Sequence, residues 1–149
     1  MKLLLTYFTF IVLSCNSTKS TNDNRPLNEL KSDKLSLIYQ AHTRGFFEEV
    51  FISENSVVLF KDYEKLKPIK RTIFEKEWKT CIDLVSSIEL KSIGQLTAPS
   101  SLRQTDRAAY ANLIVIKKGD TIKSSDFDHK NPPFELKQLV EHILSIKEN

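Results

Sequence analysis

Thr72-Ile73-Phe74-Glu75-Lys76-Glu77-Trp78-Lys79-Thr80-Cys81-Ile82-Asp83-Leu84-Val85-Ser86-Ser87-Ile88 is the stretch in which the hydrophobic period of this chain changes. Phe74, Trp78, Cys81, Val85 and Ile88 recur at helical spacing, with Ile82 and Leu84 flanking them. Thr72 followed three residues later by Glu75 matches a capping box, in which each side chain satisfies a free backbone N–H of the first turn. An amphipathic helix is therefore expected here. At about 100° per residue Cys81 falls in the middle of its apolar arc. No basic residue adjoins Cys81, so it reads as a small buried hydrophobe rather than a reactive thiol.

Upstream of this helix the pattern is that of strands. Leu35–Gln40 and Phe46–Ile52 flank the turn signal Thr43-Arg44-Gly45, and Glu54-Asn55-Ser56 turns into Val57–Phe60. Tight turns make these an antiparallel meander, and the charged segment Lys61–Arg71, with Pro68, leaves room for a short edge strand near Ile69. Downstream, Leu90–Arg107 reads as irregular, punctuated by Gly94 and Pro99. Ala108–Ile116 and Thr121–Phe127 form a hairpin through Lys118-Gly119-Asp120. A last helix is expected after Asn131 as N-cap and Pro132 at the first position, with Leu136, Leu139, Val140, Ile143 and Leu144 on one face. His142 falls off that face and is expected in solvent. The resulting order is β-β-β-α-β-β-α, an α+β domain with two helices packed on one face of an antiparallel sheet.

Residues 1–14 precede this body as an export signal. Lys2 supplies the positive end and Leu3–Leu13 an apolar run broken only by Thr6 and Thr9. Eleven residues are too few to cross ~30 Å of hydrocarbon, which takes about 20, so a cleaved signal is the reading. Val12-Leu13-Ser14-Cys15 resembles the bacterial lipobox, with an aliphatic residue three before the cysteine and a small one directly before it. That resemblance implies diacylglycerol on Cys15 and attachment to a membrane of the cell envelope. Asn16, not an acidic residue, follows Cys15 and favours the outer membrane. Residues 15–34, the lipidated cysteine and a polar run, read as a tether reaching about 25 Å. Residues 35–149 are then a single extracytoplasmic domain.

Composition closes several function classes. Twenty-two basic against 19 acidic side chains give only +3, and no basic stripe is present, which argues against nucleic acid. With Cys15 assigned to lipid, Cys81 has no partner, so a disulfide framework and a cysteine-rich zinc site are excluded. Three isolated glycines make no phosphate loop, and no cofactor is expected.

Three groups of residues carry candidate chemistry. Asp126, Asp128 and His129 could hold a metal or serve a hydrolase, the two aspartates sharing one side of a strand; the plainer reading satisfies the turn and helix start with Asp128 and Asn131. Ser100, Arg103 and Asp106 lie on the long loop, where no Gly-x-Ser-x-Gly elbow supports catalysis; Arg103 and Asp106 are expected to pair at the surface. Phe46 and Phe47 point to opposite faces, so one of them leaves the helix-covered side. The function read from these is non-enzymatic binding of an envelope protein or peptide.

Trp78, Leu84 and Val85, Leu96-Thr97-Ala98-Pro99-Ser100, Arg103, Asp106, Ala108, and Ser125–Pro133 with Leu136 and Leu139-Val140 resemble a group of small Bacteroidetes-type lipoproteins. Lys130 departs from that pattern, which has glycine there. The resemblance implies an address and no activity. The order of hairpin, helix, hairpin and Pro-started helix is similar to emfourin-like proteins, inhibitors of thermolysin-type metalloproteases. That similarity implies an inhibitor and carries over no residue.

Overall fold

The computed structural model describes residues 35–148. The export signal, Cys15 and the tether lie outside them. Alternating burial builds the sheet. β1 (Ser36–Thr43) buries Leu37, Tyr39 and Ala41 on one face, β2 (Phe46–Ser53) buries Val50 and Ile52, and β3 (Ser56–Phe60) buries Val57 and Leu59. The registers Leu37↔Ile52↔Val57 and Tyr39↔Val50↔Leu59 place these side chains in rows. β5 (Tyr110–Lys117) adds Ala111, Leu113 and Val115 to the same face by pairing with β1. β4 (Ile69–Arg71) is the short strand expected near Ile69, and it forms one edge. The long second strand of the expected hairpin is broken into β6 (Asp120–Lys123) and β7 (Phe127–Asp128), which both pair with β5. The sheet thus has seven antiparallel strands, one more than the five of the meander and hairpin plus the edge strand near Ile69, in the order β4-β3-β2-β1-β5-β6 with β7 beside β5.

Two α-helices complete the α+β class. α1 (Glu75–Ser86) buries Cys81 and Val85, and α2 (Lys137–Glu148) buries Leu139, Val140, Ile143 and Ile146. These residues, with Leu136 and Ile93, join the inward row of the sheet in one core. None of the described helices is long and apolar enough to cross a membrane.

The helix starts differ from the expected ones. Thr72 and Ile73 lie outside the helix, Ile73 buried, and the Arg71 guanidinium donates to the Thr72 carbonyl at 2.8 Å. α1 therefore begins after Phe74, and the Glu77 carboxylate, not Glu75, closes on the Phe74 N–H at 3.0 Å. Asn131 caps no helix either. A 3₁₀ turn over Phe134–Leu136 intervenes before α2, and the Asn131 side chain is used elsewhere, as below. His142 is not solvated as expected. Its Nε2 lies 3.0 Å from the Glu77 carbonyl and ties α2 to α1.

The hairpin turn at Lys118-Gly119 puts both residues at positive φ, 54° and 86°, as a two-residue turn between right-twisted strands requires. Lys130 also sits at φ 66°, the conformation a glycine would supply there.

Candidate functional site

One member of the first polar group singled out in sequence, Asp128, meets Ser100 and Arg103 of the second. Asp128 is 2 % exposed, and its carboxylate is fully engaged. The Ser100 hydroxyl donates to Oδ2 at 2.5 Å and the Leu102 N–H to the same oxygen at 2.8 Å. The Arg103 N–H and its guanidinium Nη1 each reach Oδ1 at 3.0 Å. Asn131 donates to the Ser100 hydroxyl oxygen at 2.6 Å, and Arg103 Nη1 also holds the Ser100 carbonyl at 2.7 Å. Asp128 is thus the cap of the 3₁₀ turn Leu102–Thr105, supplied from β7 rather than from the turn itself. Burial alone would raise its carboxyl. The hydrogen bonds of Ser100, Arg103 and Leu102 outweigh that and bring it down to about 2.

Arg103 therefore pairs with Asp128, not with Asp106 as expected. Asp106 ends the 3₁₀ turn in the left-handed conformation and is exposed. Asp126 is exposed as well, 3.7 Å from Lys123 and within 3.4 Å of the Asn112 amide. His129 turns into the protein. The Lys130 N–H donates to the Tyr39 oxygen at 3.3 Å, and the same hydroxyl is hydrogen-bonded to His129 Nδ1 at 2.9 Å. Burial lowers the affinity of His129 for a proton, and burial raises the Tyr39 hydroxyl to about 12. The structure does not bring Asp126, Asp128 and His129 to a common point. Among the described residues no group of three or more His, Cys, Asp and Glu is arranged to hold a metal ion.

Phe46 and Phe47 divide between the faces as alternation requires. Phe46 contacts the His129 ring, with centroids 5.6 Å apart, on the helix side. Phe47 points to the other face but is buried, because Tyr63 of the β3–β4 loop lies on it at 4.6 Å. Lys65 from the same loop binds both oxygens of Glu49, at 2.6 and 2.8 Å, on that face.

Sequence reasoning missed the accessible recess of this face. His42 stacks on Tyr110 at 6.1 Å and meets Tyr63 edge-on at 6.5 Å. The Tyr63 hydroxyl donates to the Thr43 carbonyl at 2.7 Å, which fixes its ring. These rings, with Thr43, Arg44, Asp106 and Ala108, line an open cleft of ≈ 360 Å³. Its residues come from β1, the β1–β2 turn, the β3–β4 loop, the segment after the 3₁₀ turn, and β5. Only alternation on β1 and β5 could have signalled it, since His42 and Tyr110 are register partners.

Neither a protein-family model nor a curated protein matches the chain.

Proposed function

We propose that this chain is a lipid-anchored extracytoplasmic binding domain, held to the outer membrane through Cys15, and that it does no catalysis. The observation that supports binding is the aromatic cleft at the end of the open sheet face, walled by His42, Tyr63 and Tyr110. Large rings fixed by their neighbours are the usual anchors of protein and peptide recognition, since they bury much area at little entropic cost. Arg44 and Asp106, both exposed at its rim, offer opposite charges to set the direction of a bound peptide. The polar set most like a catalytic one is already consumed, because Asp128 is held by the 3₁₀ turn. In this reading the architecture is a β-β-β-α-β-β-α core with β4 and β7 as additions.

The test is pull-down of the intact protein from membranes, wild type against Tyr110→Ala and Asp106→Ala. A partner retained by the wild type and lost by both variants, at unchanged melting temperature, supports the cleft. An identical partner set rejects it.

One observation favours an inhibitor as second reading. Leu102 is 40 % exposed on a turn that Asp128 holds rigid, and a preorganised apolar projection is what a protease cleft accepts at low entropic cost. Cleavage by a panel of thermolysin-type metalloproteases should then slow in its presence and recover with Leu102→Ser. Unchanged rates across the panel reject it.

A further inference from the structure

The β4 edge differs in chemistry from the rest of the surface. Lys61–Arg71 contains five basic and two acidic residues, so this one segment carries +3. That equals the formal charge of the whole chain, and the remainder is balanced. Arg71 is engaged with Glu77 and the Ile146 carbonyl, and Lys65 with Glu49. Among the described residues no ion pair takes up Lys61, Lys67 or Lys70. The same edge exposes large apolar side chains: Leu66 is 71 % exposed, Ile69 58 % and Phe74 68 %. Ile69 and Arg71 share the core-side face of β4, and the Arg71 guanidinium lies 5.7 Å from the Phe74 ring centroid, while Lys70, opposite Val58, points to the other face, so the edge presents apolar groups on one side and a cation on the other. Leu66 is only three residues from Ile69, within about 10 Å along the chain.

We infer that this edge docks on an anionic lipid surface, with Lys61, Lys67 and Lys70 at the head groups and Leu66, Ile69 and Phe74 at the acyl boundary. Cations interleaved with exposed apolar side chains are the pattern that binds an anionic interface through charge and burial together. The other occupant of a sheet edge is an added peptide strand. Here β4 offers three residues, is preceded by Pro68, and exposes Lys70, features that discourage strand addition. The inference rests on the anchored reading only for bringing the domain within reach of a bilayer.

The test reconstitutes the full chain into lipid discs of phosphatidylcholine alone or mixed with phosphatidylglycerol, and follows amide hydrogen exchange. Residues 61–74 should exchange several-fold more slowly in the anionic discs only, and raised salt should abolish the difference. At roughly fivefold per lysine, Lys67→Gln with Lys70→Gln should reduce the docking equilibrium constant about 25-fold, which removes most of a several-fold protection. The melting temperature should not move, since both side chains are exposed. Leu66→Ser with Ile69→Ser should weaken protection without removing its salt dependence. Equal exchange in the two discs overturns the inference. So does protection that appears only when envelope proteins are added, which would make the edge a protein interface. Failure of the chain to co-purify with neutral discs would instead count against the anchor.

Discussion

Arg103 binds Asp128 twice across 25 residues of sequence, through its own backbone N–H and through its guanidinium, each at 3.0 Å. The double contact turns a long loop into a fixed part of the domain. One end of the bond is a turn that cannot cap itself, and the other is a carboxylate buried where water cannot replace its donors. Each needs the other. Asp128→Asn keeps the shape but removes the charge, leaving Arg103 without its anion. Breaking a buried pair from one side costs about 3–5 kcal/mol, and a loss of that order is expected in denaturant melts. The carboxyl is depressed to about 2, below its ordinary value near 3.9. A depressed carboxyl contributes stability that is present above the unfolded value and is lost as pH falls toward the folded one. The wild type should therefore lose stability more steeply than Asp128→Asn between about pH 4 and pH 2.

His129 responds to acidification at higher pH than Asp128 does. Its Nδ1 is hydrogen-bonded to the Tyr39 hydroxyl, and burial lowers its pKa, with Glu48 opposing that and Lys130 and Lys147 adding to it. A histidine lowered in this way contributes stability above its unfolded value, about 6.5, and loses it as pH falls through the folded value. Titration of the imidazole signals by NMR should find His129 charging below that reference. Tyr39→Phe removes the hydrogen bond at Nδ1 and should move the His129 midpoint while leaving the sheet intact. An unmoved midpoint would show that the Tyr39 hydroxyl does not tune the imidazole.

How much of this was legible before the structure follows from the range of each interaction. The helix around Cys81, the meander, and the apolar face from Leu136 to Leu144 were readable because their signal is periodic within one element. Asp128 was readable only as a polar residue in a turn, since its donors lie on Ser100, Leu102 and Arg103. Glu48 carried no signal of its own in the sequence. By register it faces inward opposite Ala41, and the cation that permits this is Lys147, 99 residues away. The cover on Phe47 was invisible for the same reason, because nothing in the charged run after Phe60 announces that Tyr63 folds back. Local pattern places elements; it does not choose partners between them.

Glu48 and Lys147 make that point measurable. Lys147 Nζ lies 2.9 and 3.1 Å from the two Glu48 oxygens, and both side chains are nearly removed from solvent. The pair fastens the last turn of α2 to β2. Lys147→Met should cost roughly 3–5 kcal/mol by leaving a buried carboxylate alone. The double change Glu48→Leu with Lys147→Met should recover most of it, since apolar replacement of a buried pair is often neutral or better. A single substitution as mild as the double one would mean that Glu48 reaches water after all.

Lys130 offers a change in the stabilising direction. Its φ of 66° lies in the left-handed region, where a side chain costs about 1–2 kcal/mol and glycine is free of that penalty. The Lys130 side chain is exposed, and the hydrogen bond here comes from its backbone N–H to Tyr39, which glycine retains. Against the gain stands the extra freedom glycine gives the unfolded chain, about 0.5–1 kcal/mol. Lys130→Gly should therefore raise stability by about 0.5–1 kcal/mol. Lys130→Ala separates backbone from side chain: it removes the ammonium but keeps the Cβ, so it should not match the glycine. If alanine stabilises as much as glycine, relief comes from removing charge beside His129, and the backbone strain assigned to this position is not what limits the fold.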